Sequence, residues 1–82
     1  MHRPAYRQFC LKLRKWREQA GLTQRVLARK LGIAPSIVHK TEVGERRMDP
    51  LEFISWCRAC GGEPSESLGE VEREIGFGRR RS

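Results

Sequence analysis

The sequence predicts a compact all-α domain of four to five helices around a single core. Apolar residues recur at three- and four-residue steps, which is the period of one helical face. Glycines stand at the ends of these periodic stretches, and none of the stretches shows the alternation of a half-buried strand.

The first helix is read over Tyr6–Ala20, where Tyr6, Phe9, Cys10, Leu13, Trp16 and Ala20 share a face between Pro4 and Gly21. The second is read over Gln24–Leu31. Thr23 is its cap, Val26, Leu27, Ala28 and Leu31 are its apolar face, and Gly32 is its stop. The third is read over Pro35–Val43 and ends at Gly44. Ala34 offers no capping oxygen, but proline suits a first helical position because the N–H it lacks would have no partner there.

Asp49-Pro50-Leu51-Glu52 opens a fourth helix with a capping acid, a first-turn proline and a second acid three residues on. It runs to Cys60, before Gly61-Gly62. A last short helix starts near Pro64, with Leu68, Val71 and Ile75 on one side, and residues 76–82 carry no helical pattern. Residues 1–78 therefore read as one domain, and 79–82 as a basic mobile tail.

At 82 residues the chain has room for one modest core. It carries 17 Lys and Arg against 10 Asp and Glu, for a net charge of +7, which points to a polyanionic partner. The charge is unevenly placed. Residues 1–48 hold 12 basic and 3 acidic groups, whereas residues 49–82 hold 5 and 7. No apolar run approaches the roughly 20 residues that span a bilayer, and Met1-His2-Arg3-Pro4 does not open a signal peptide. The expectation is a cytoplasmic protein with no membrane partner. Three cysteines, an odd number, argue against a disulfide framework in that compartment.

The second and third helices are joined by only a few residues, a spacing that sets two helices at a steep angle. From Leu22 to Arg47 the chain resembles the helix-turn-helix of the Xre and lambda-repressor-like (Cro-type) transcriptional regulators, and the resemblance covers about residues 9–62. Each matching residue type has its own physical reason. Ala28 is small where the two helices approach, Gly32 accepts the turn, and Val38 points into the angle with Leu27 and Leu31.

The resemblance implies a double-stranded DNA partner. Base-contacting positions fall on Pro35, Ser36, Ile37, His39 and Lys40, and phosphate-contacting positions on Thr23, Gln24, Arg46 and Arg47. Lys40 has the chemistry to donate to guanine O6 and N7, and Ser36 both donates and accepts. Ile37 stands between a thymine-methyl contact and core packing. Gln24 lies at the partly positive start of the second helix, which suits a phosphate. Arg17 and Glu42 match positions that form a structural ion pair between the first and third helices.

Two departures stand out. Ala34-Pro35 replaces a polar cap and a long polar first-turn side chain, which removes a glutamine-type reading of adenine. Thr41 occupies a normally apolar position, unless its hydroxyl bonds back to the helix.

Cys57 and Cys60 have the Cys-x-x-Cys spacing, but they fall on the apolar face of a helix and read as core neighbours. Neither a zinc ligand set nor a cofactor is expected, and a redox role for Cys10, Cys57 or Cys60 stays open. The absence of a nucleophile-base set or a phosphate loop predicts a non-enzyme. The expected function is that of a repressor binding pseudo-palindromic operators as a homodimer. Leu68, Val71, Ile75 and Phe77 would form either the dimer surface or a lid on the core. The alternative is an antitoxin or regulatory interaction protein whose helix-turn-helix mainly meets a protein partner such as a toxin.

Overall fold

The computed structural model describes residues 4–75, which form five helices: α1 Pro4–Gln19, α2 Gln24–Leu31, α3 Pro35–Glu42, α4 Pro50–Ala59 and α5 Pro64–Ile75. Phe77 and the expected tail at 79–82 lie outside the described residues. There are no strands among those described, and no described helix is long and apolar enough to cross a membrane.

Four bounds differ from the sequence reading. α1 takes in Pro4, a residue that fits a first turn, and ends at Gln19. α3 ends at Glu42, with Val43 as its cap, and Cys60 caps α4. α5 is a full 12-residue helix rather than a short one. Its length follows from tertiary anchoring: the Lys12 ammonium on α1 lies 2.7 Å from both Glu70 and Glu74 on successive turns of α5. Burial alone would push the Lys12 pKa down, but its hydrogen bonds to the two carboxylates outweigh that and hold it above the ordinary lysine value.

The core gathers Leu13, Leu27, Ala28, Val38, Phe53, Trp56 and Cys57, so α1 to α4 all contribute. Leu13, Leu27 and Val38 are completely buried, each burial contributing about 1.5–3 kcal/mol. Phe53 touches Phe9 and Trp16, with ring centroids 5.8 and 6.2 Å away. The Trp56 indole donates to the Leu13 carbonyl at 3.2 Å, which gives the buried N–H of α4 a partner on α1.

α2 and α3 make the tightest corner. Ala28 presents only a methyl there, and Val38 fills the angle. Thr23 Oγ1 accepts from the Val26 amide at 3.1 Å. At the far end Gly32 adopts φ 71°, which lets the Ile33 amide close back on the Ala28 carbonyl at 3.0 Å. An L side chain in that left-handed region costs roughly 1–2 kcal/mol, so the sharp turn depends on glycine.

Candidate nucleic-acid interface

α3 has one face held and one face open. Val38, Thr41 and Glu42 are buried, whereas Pro35, Ser36, His39 and Lys40 are exposed and Ile37 is half-buried. Thr41 would leave a hydroxyl in an apolar site, but its Oγ1 donates to the Ile37 carbonyl at 2.7 Å. That bond satisfies the group within its own helix. Pro35 opens the helix without a side-chain cap from Ala34.

Glu42 is the anchor of this arrangement. Its side chain is only 2% exposed and accepts three hydrogen bonds. Arg17 donates through Nε to Oε2 at 2.6 Å and through Nη2 to Oε1 at 3.1 Å, and Gln24 Nε2 donates to Oε1 at 3.0 Å. Arg17 Nη1 also donates to the Leu22 carbonyl at 2.8 Å. The hydrogen bonds to Glu42 raise the Arg17 pKa, against the opposing effect of burial. One carboxylate thus joins α1, the start of α2 and the end of α3. A buried charge with this many partners adds little net stability but fixes geometry, because few other arrangements satisfy it.

Gln24 therefore has one amide hydrogen engaged inside the protein. Its second N–H and the first-turn backbone amides of α2 are not used by that bond. Thr23 is exposed and caps the same helix.

The α3–α4 loop holds two arginines in different ways. Arg46 forms a two-pronged pair with Glu52, Nη2 to Oε2 at 2.6 Å and Nη1 to Oε1 at 3.2 Å. Glu52 also closes the capping box of α4: its amide donates to Asp49 Oδ1 at 2.8 Å, and its Oε1 accepts from the Asp49 amide at 3.0 Å. Hydrogen bonds from Arg46, then from the Asp49 backbone, hold the Glu52 carboxyl below the ordinary range. Arg47 is exposed, with its guanidinium 4.4 Å from the Tyr6 ring centroid. Stacking on an aromatic face orients the fork and leaves its N–H edges able to meet an anion.

A family model described as a helix-turn-helix domain matches residues 8–68. A solved structure of an XRE-family like protein from Pseudomonas syringae pv. tomato str. DC3000 superposes with a TM-score of 0.79 at 40% identity, covering 84% of each chain. The chain belongs to the Xre-type helix-turn-helix family.

The clp gene regulator ClgR from Corynebacterium glutamicum shares the fold, with a TM-score of 0.77 at 22% identity over 94% of this chain and 82% of that one. No curated protein matches the chain. As a member of the Xre-type family, the protein is a DNA-binding transcriptional regulator, with α2 and α3 as its helix-turn-helix.

The remaining sequence-predicted positions of this Xre-type domain divide by burial. Val71 is only 5% exposed, whereas Leu68 is 57% exposed and Ile75 half-buried. Cys57 is buried and Cys60 half-buried. Burial, helped by the neighbouring Cys57, pushes the Cys60 thiol up to about 11, which disfavours a reactive thiolate at neutral pH.

Sequence reasoning misses the partners of the loop arginines. It gives Glu52 only a capping role and Tyr6 only a place on the core face of α1. The nearness of Arg46 to the capping acid is a usable signal; nothing in the sequence brings Tyr6 to Arg47.

Proposed function

We propose that this protein is a sequence-specific repressor that lays α3 in the major groove and binds pseudo-palindromic operators as a homodimer. The observation that carries the reading is the division of α3. Its buried side is pinned by Val38, Thr41 and the Arg17–Glu42–Gln24 cluster, while Pro35, Ser36, His39 and Lys40 form a free outer face.

Lys40 and Ser36 are the hydrogen-bonding readers, Ile37 and His39 supply edge contacts, and Pro35 starts the helix with little capacity to read. Thr23, Gln24, Arg46 and Arg47 set the register on phosphates. A short reading face with few long polar side chains favours modest discrimination by one copy. Pairing two copies on half-sites about one helical turn apart would multiply it. Exposed Leu68 and half-buried Ile75 offer an apolar contact for the second copy. Such a repressor works in the cytoplasm, by occupying DNA rather than by catalysis.

Selection from random duplex DNA at two salt concentrations tests the reading. An enriched palindrome supports it; equal affinity for every sequence would reduce the function to general DNA association.

A further inference from the structure

α1 borders α3 along a groove of about 270 Å³ lined by Arg7, Leu11, Arg14, Gln24, His39 and Val43. Arg7, Leu11 and Arg14 are spaced by four and three residues, so they form one strip along the helix, and all three are exposed. Gln24 and His39 already belong to the proposed phosphate and base contacts. The groove therefore continues that surface onto α1.

Its charge is not cancelled from within. Glu42 is the acidic residue of its wall, and that carboxylate is buried and already bound by Arg17 and Gln24. Arg7 makes no ion pair among the described residues. Arg14 pairs with Glu18 through Nε at 2.9 Å, but both side chains are more than half exposed, and such a pair holds weakly in water. Two arginines thus stand seven residues apart, about 10.5 Å along the axis at 1.5 Å per residue. A separation of that size lets the two side chains meet different phosphates of one strand rather than compete for the same one.

We infer that Arg7 and Arg14 form a second phosphate-binding tract, which engages the backbone beside the half-site read by α3. The inference rests on the DNA-binding mode proposed above and extends it to a helix outside the helix-turn-helix. Arg7 and Arg14 add affinity and salt sensitivity without choosing bases, since a phosphate carries no sequence information.

The test is a salt titration of binding to a mixed-sequence duplex, followed by fluorescence anisotropy, with the full chain. Replacing both residues (Arg7→Gln with Arg14→Gln) lowers the slope of log K against log salt by about 1.8, that is, about 0.9 for each phosphate no longer neutralised. Arg7→Lys with Arg14→Lys retains most of the slope. The comparison protein carries Arg58→Gln with Arg73→Gln, which removes the same charge from exposed sites outside the groove and leaves the slope near that of the unsubstituted chain.

An unchanged slope in the Arg7/Arg14 variant, or an equal fall in the Arg58/Arg73 variant, would overturn the tract and leave the α3 reading standing. Absence of any salt-sensitive DNA binding by the unsubstituted chain would overturn both. Thermal melts by circular dichroism that coincide for all variants establish that the slope reports phosphate binding rather than folding.

Discussion

Arg17 and Glu42, 25 residues apart in sequence, meet in a buried two-pronged pair with N–O distances of 2.6 and 3.1 Å. The pair ties α1 to the last turn of α3, and Gln24 completes it from α2. Removing one member strands a buried charge. Glu42→Arg is expected to destabilise the fold by about 3–5 kcal/mol in urea unfolding, and adding Arg17→Glu to recover part of the loss. Full stability of the single variant would show that the pair does not organise the site.

Gly32 makes a separate prediction about the turn. A Cβ there would meet nothing within 4 Å, yet the backbone sits at φ 71°. Gly32→Ala should therefore cost about 1–2 kcal/mol through the backbone alone, and Gly32→Asn less, because asparagine tolerates the left-handed region. Equal midpoints for all three proteins would contradict this account.

Specificity and affinity should separate by residue. Lys40→Ala is expected to cost roughly 1–3 kcal/mol at one base position and to relax the preference there. Gln24→Ala should weaken selected and mixed-sequence duplexes alike, since its proposed partner is a phosphate. Binding measured on a panel of single-base variants distinguishes the two patterns, and their exchange would reassign both roles.

Stability should fall at both pH extremes. Hydrogen bonds from Arg46 hold Glu52 below the ordinary carboxyl value of 4.5, and those from Lys12 do the same for Glu70. Their contribution is fully present above 4.5 and is lost as pH falls through the lower folded values. Lys12 is raised above its ordinary 10.5, so its contribution is present below that value and is lost as pH rises through the folded one. Glu70→Gln should flatten the acid limb of the urea midpoint by an amount worth about 1 kcal/mol or less, since the Glu70 carboxylate is still 36% exposed to screening by solvent. An acid limb unaltered by that substitution would assign the loss to other carboxyls.

Asp49→Ala should lower stability by about 0.5–2 kcal/mol, because Asp49 Oδ1 is the acceptor for the Glu52 amide at the start of α4. The same change should loosen Arg46, since Glu52 serves both partners. An unchanged thermal midpoint would rule out a stabilising role for the box.

The helices and the helix-turn-helix are legible in the sequence because their signals are local. Thr23 caps α2 through an amide three residues on, Gly32 stops the helix, and Ala28 with Val38 leaves room for a close corner. The exposed set on α3 is equally legible, since spacing along one helix decides which residues share its outer face. The roles left open, such as that of Val71, need the neighbours that periodicity does not supply. Val71 lies in a buried position while Leu68, one turn earlier, does not.

By itself the sequence determined the all-α class, the order of the helices and the candidate reading face on α3, all consequences of interactions within a few residues. Tertiary structure decided which partner holds most of the long cationic side chains. Lys12 is buried against Glu70 and Glu74, Arg46 is oriented by Glu52 and Arg47 by Tyr6, while Arg7 makes no ion pair among the described residues. The physical reason is that a long cationic side chain takes whichever carboxylate or aromatic face the packed helices bring to it. That choice depends on distance in space, which local sequence patterns do not encode.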